Sequence, residues 1–148
     1  MTGEDLLKGD RMSTVRLIEY DEASPEVRAV YDDIRAVRQT DVINNFWKAL
    51  AHDPAQLRRT WDALKEVMAP GALDALTKEL IYIAVSTANS CDYCIHSHTA
   101  AARAKGMTET QYAELMSVIG MAHQTNSLST MMKVPVDQMF RVGEDESS

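Results

Sequence analysis

The sequence predicts an all-α protein. Ser24-Pro25 and Asp53-Pro54 each set a capping side chain before a proline at the first helical position. Apolar residues then recur three and four apart through most of the chain, the period of a helix with one buried face. Strand-like alternation is confined to Thr14 to Ile18, which is short.

Behind Ser24-Pro25, the residues Val27, Val30, Tyr31, Ile34 and Val37 keep helical spacing through Arg38. A short helix is expected from Asn44 to Ala51, carrying Phe46, Trp47 and Leu50. After Asp53-Pro54, one stripe holds Leu57, Trp61, Leu64 and Met68. Pro70-Gly71 breaks the pattern. The least polar helix then runs from Asp74 to Ala88, apolar on nearly every side, and so is expected in the middle of its domain. The short link Asn89-Ser90 leads into a helix from Cys91 to Lys105, with Gly106 placed as its C′ residue. Thr108 and Gln111 form a capping box for a last long helix to about Met131, and Pro135 ends the pattern.

A chain of 148 residues fits one compact domain. The expected division is an N-terminal extension over 1–23, partly flexible, a helical domain over 24–135, and an acidic tail over 136–148. A net charge of −7 repels phosphate backbones, which argues against nucleic acid as a partner. Leu80 to Ala88 is the most apolar run and about half the length of a membrane span, so no membrane association is expected. Met1 to Asp10 is polar and lacks the apolar stretch of a signal peptide, and the expected location is cytoplasmic. Two cysteines are too few for a disulfide scaffold; a lone Cys-x-x-Cys pair points to redox chemistry or half a metal site.

The chemistry concentrates in Cys91-Asp-Tyr-Cys94-Ile-His-Ser-His98. At about 100° per residue, Cys91, Cys94 and His98 fall within an arc of roughly 60°, whereas His96 points elsewhere. A helix N-terminus favours a thiolate, and cysteines three apart can close a disulfide when the first turn adjusts. A histidine one turn after Cys94 can take the thiol proton and return it. Such a dithiol can attack a peroxide or a disulfide and then close on itself.

Glu79 lies on the shoulder of the least polar helix, where a carboxylate is costly without partners. The short link makes the two helices an antiparallel pair. Folding that hairpin about residues 89 and 90 places Glu79 roughly opposite Ala100 and within about one turn of His98. The order that emerges is Glu79, His98, Cys94: a carboxylate orienting a histidine that serves a thiol.

Glu79, eleven residues, Cys91, two residues, Cys94, three residues and His98 together resemble the core motif of the alkylhydroperoxidase D group, within the carboxymuconolactone decarboxylase-like superfamily. The following His98-Thr-Ala-Ala-Ala-Arg103 and Gly106-Met-Thr108 are similar to it as well. The resemblance implies an alkylhydroperoxidase D-like helical fold with a central antiparallel helix pair. It also implies thiol-dependent reduction of a hydroperoxide by a thiol or dithiol reductant, and homo-oligomers such as trimers or hexamers. By position, Cys94 would be the peroxidatic thiol, Cys91 the resolving one, and Glu79 and His98 the relay. Tyr93 stands where the best-studied members carry a further relay histidine.

Other readings remain open at this point. The pair could sense oxidants or carry electrons to a partner without enzymatic turnover. Cys91, Cys94 and His98 could also hold zinc, with Glu79 or His123 as a fourth ligand. A c-type haem needs histidine directly after the second cysteine, where Ile95 stands. The peroxidase reading requires no cofactor and no metal. His52, His96 and His123 read as structural or solvated, Phe46, Trp47 and Trp61 as core or subunit-interface residues, and the nine methionines as adaptable helix packing.

Overall fold

Both proline-led starts become helices in a computed structural model, which describes residues 13–141. The segments 1–12 and 142–148, which hold most of the expected extension and of the acidic tail, lie outside the described residues. Among the described residues six α-helices follow one another: α1 (Pro25–Arg38), α2 (Asn45–Leu50), α3 (Pro54–Met68), α4 (Ala75–Ala88), α5 (Asp92–Ala104) and α6 (Glu109–Met132). Single 3-10 turns occur at Tyr20–Glu22 and Gln138–Phe140, and no strand forms among the described residues. The weak alternation at Thr14 to Ile18 stays irregular backbone.

The helix starts obey local chemistry. The side chains of Ser24, Asp53, Asp74 and Thr108 accept the backbone N–H groups of Val27, Gln56, Thr77 and Gln111, each silencing an orphan donor of a first turn. Thr108 and Gln111 complete the reciprocal capping box. Gly106 follows α5 at φ +93°, a left-handed backbone that a side chain would strain.

The chain divides into two compact units, Met1–Ala69 and Pro70–Ser148. The boundary falls at the Pro70-Gly71 break, and each unit has a core of its own.

In the first unit, Val27, Val30, Tyr31 and Ile34 of α1 pack with Trp47, Leu57 and Trp61. Trp47 and Trp61 meet edge to face, their centroids 5.4 Å apart. Asp33 accepts from Trp61 Nε1 at 2.8 Å and pairs with Lys65 at 2.6 Å. The packed chain begins before position 24, because Ile18 and Tyr20 lie on this core and Tyr31 Oη donates to the Ile18 carbonyl at 2.9 Å. Phe46, by contrast, is exposed.

In the second unit, α4 and α5 pair as expected, and α6 packs against α4. The core is small: Ile83, Ala102 and Met107, with Leu76, Leu80, Tyr112, Leu115 and Ile119 around them. The expectation that α4 is buried nearly all round is corrected here. Its buried residues are Glu79, Ile83 and Ser86, while Ile81 and Val85 are 48% and 54% exposed. The reason is that, within the second unit, α5 and α6 cover one side of α4 and leave its other side open.

Candidate functional site: a cysteine pair beside a buried carboxylate

Ser90 at φ +56° closes the link between α4 and α5, and the Cys91 N–H donates to the Ser86 carbonyl at 2.9 Å. That turn makes Cys91 the N-cap of α5 rather than its first helical residue. The Cys94 N–H donates to Cys91 Sγ at 3.3 Å, so sulfur takes the place usually held by a Ser or Asp oxygen. Cys91 and Cys94 are joined as a disulfide with Cα atoms 5.3 Å apart, and both are half-buried.

His98 follows one turn after Cys94. Its Nδ1 lies 2.7 Å from Glu79 Oε2, and the Glu79 side chain is only 5% exposed. The hairpin therefore sets Glu79 opposite His98 itself, where the sequence suggested Ala100. The cap geometry of Cys91 and the tight link at Ser90 account for this small shift of register.

Two further side chains complete the group, and sequence reasoning assigned neither. Lys105 Nζ donates to Glu79 Oε1 at 2.9 Å. The Tyr82 ring stacks on the His98 imidazole with centroids 3.5 Å apart and planes 19° apart. Spacing carried a signal for both. Lys105 is two turns beyond His98 on the same face, and Tyr82 is one turn beyond Glu79.

Burial pushes the Glu79 carboxyl up, but hydrogen bonds from His98 and Lys105 together with the Lys105 charge outweigh it, holding the group below the ordinary glutamate value. Glu79 is therefore ionised at neutral pH. An ionised carboxylate only accepts, so His98 Nδ1 carries the proton toward it, and in the neutral imidazole the lone pair is then on Nε2.

The remaining histidines stay apart from this group. His96 is exposed on α5, and His123 is exposed on α6. His52 lies in the first unit, with Nε2 2.7 Å from the Arg16 carbonyl. Tyr93 is exposed in the first turn of α5. Among the described residues, no three His, Cys, Asp or Glu side chains are arranged to hold a metal ion. No described helix is long and apolar enough to cross a membrane.

Residues 54–137, more than half of the chain, match the carboxymuconolactone decarboxylase family. The chain belongs to this family. A crystal structure of an alkylhydroperoxidase AhpD core from Rhodospirillum rubrum is similar to it, with 61% identity and a TM-score of 0.85 over 87% of this chain and 97% of that one. An uncharacterised protein of the cox locus of Paracoccus denitrificans is 35% identical over 77 residues, 47% of this chain and 69% of its own length. An uncharacterised protein of Cupriavidus necator is 30% identical over 81 residues, 55% of this chain and 72% of its own length. The chain thus has the all-α AhpD-like fold.

Proposed function

We propose that this protein is a thiol peroxidase that reduces hydroperoxides through Cys94 and Cys91, with Glu79 and His98 as a proton relay. One observation carries the reading: the 2.7 Å bond between buried Glu79 and His98 holds an imidazole one turn after Cys94. That bond fixes which nitrogen is free to act as a base.

In the reduced protein, His98 Nε2 takes the proton of the Cys94 thiol. The thiolate sulfur attacks one peroxide oxygen, the O–O bond breaks, and the alkoxide leaves with the proton returned by His98 as an alcohol. Cys94 becomes a sulfenic acid. The Cys91 sulfur then attacks Cys94, the S–O bond breaks, and hydroxide departs with the Cys91 proton as water. An external thiol or dithiol supplies two electrons and two protons to reopen the disulfide. The cycle uses protein sulfur alone, without metal or cofactor. The place proposed for it is the cytoplasm, in a homo-oligomer such as a trimer or hexamer.

The second reading is a redox sensor or electron carrier of the same fold, favoured by Tyr93 standing between the cysteines where a relay histidine is otherwise found. Peroxide consumption with several thiol donors separates the two. Repeated turnover supports the peroxidase, whereas one oxidation per chain followed by disulfide transfer to a partner supports the carrier.

A further inference from the structure

Lys105 stands at the C-cap of α5, and its backbone N–H closes onto the carbonyls of Ala101, Ala102 and Arg103. The next two residues lock it there. Gly106 turns the chain at φ +93°, and buried Met107 returns its N–H to the Ala102 carbonyl at 3.0 Å. A cation in the last turn of a helix ordinarily complements the dipole from the surface. Arg103 does so, pairing with Glu109 at 3.5 Å where both side chains are more than half exposed. The Lys105 side chain, itself 37% exposed, instead reaches a carboxylate that is 5% exposed.

The consequence concerns the proton on His98. Glu79 has two oxygens: Oε2 faces His98 Nδ1, and Oε1 faces Lys105. With the cation in place, both oxygens accept. Without it, only the His98 bond opposes burial, which favours the protonated carboxyl as it does for any desolvated acid. A protonated Oε2 donates to Nδ1, and the imidazole proton then sits on Nε2, where it blocks uptake of a further one. We infer that Lys105 is a positioning residue: its bond to Glu79 Oε1 selects the His98 tautomer that leaves Nε2 open as a base. The inference rests on the proposed relay for its chemical purpose but not for its test.

The test is the nitrogen spectrum of the four histidines in reduced, 15N-histidine-labelled protein, with His98 assigned by its loss in His98→Gln. At about pH 8.5, well above the ordinary imidazole value of about 6.5, the wild type should show Nδ1 protonated and Nε2 bare. Lys105→Met should make the Nε2–H form the major one, and Lys105→Arg should restore the wild-type pattern. Lys105→Gln keeps a donor without the charge, serves in place of the Met variant if that one does not fold, and should also shift toward Nε2–H. An Nε2–H pattern in the wild type, or a wild-type pattern in both neutral variants, overturns the inference. A purely structural lysine would lower stability without moving the tautomer. Cys94 oxidation by peroxide should slow on the order of tenfold in Lys105→Met and recover in Lys105→Arg. Tautomer changes as stated in a protein that never turns over peroxide would overturn the proposed reaction and leave this inference supported.

Discussion

Glu79 and His98, nineteen positions apart, meet at 2.7 Å across the hairpin of α4 and α5. The bond joins a buried carboxylate to a half-buried imidazole one turn from a cysteine pair, and the functional predictions start from it.

The two cysteines should divide the labour. Cys94→Ser is expected to abolish peroxide consumption. Cys91→Ser should allow a single turnover and leave Cys94 as a sulfenic acid, detectable by mass or by a dimedone-type trap. Activity retained in Cys94→Ser but lost in Cys91→Ser would reverse the assignment.

The two histidines of α5 should differ sharply. His98→Gln is expected to slow Cys94 oxidation by about 10²-fold, the usual loss when a general base is removed. His96→Gln should leave the rate nearly unchanged, since His96 is exposed on another face. Rapid-mixing rates for the two variants decide the matter; equal losses would end the relay argument.

Stability should fall in acid. Glu79 is held low against the pull of burial by His98 and Lys105, and Asp33 is held low by hydrogen bonds from Lys65 and Trp61. A depressed carboxyl binds fewer protons in the folded than in the unfolded chain. Its contribution is therefore full above the unfolded value of about 4 and is lost as pH falls through the folded one. Urea midpoints should be level from about pH 7 to 5 and drop below about 4. Glu79→Gln should flatten that drop; an acid slope identical to the wild type's would show that Glu79 contributes nothing to it.

Much of this arrangement was legible in the sequence, and the rest for physical reasons was not. The helix starts were plain because capping is local: Ser24, Asp53 and Thr108 act on residues three positions away. Glu79 and His98 could be paired because a short link leaves a helical hairpin few registers. Lys105 is not legible because a lysine near a helix end has an ordinary explanation, and only the structure shows its Nζ on a buried carboxylate. Cys91 read as helical because periodicity does not distinguish a cap from a first turn. The open side of α4 was hidden for another reason: an apolar residue reads the same whether its cover comes from its own chain or from a second one.

That open side bears on assembly. Ile81 and Val85 of α4 are exposed, as are Met116, Val118 and Met121 of α6, and α6 has no buried residue. Apolar surface of this extent is expected to be covered by symmetric association. Light scattering at micromolar concentration should report a homo-oligomer. A single species near the 16.5 kDa chain mass, unchanged on dilution, would exclude it.

The cap on α5 carries its own signature. Because Cys91 Sγ receives the Cys94 N–H, the amide that opens the helix looks directly at the atom that gains or loses a bond during oxidation. A disulfide sulfur, a thiol and a thiolate differ widely in electron density, and an amide proton beside them resonates differently in each. The Cys94 backbone is thus a built-in reporter. One cross-peak in an ordinary amide spectrum can follow the protein's redox state in real time, with no dye, no alkylating agent and no substituted residue.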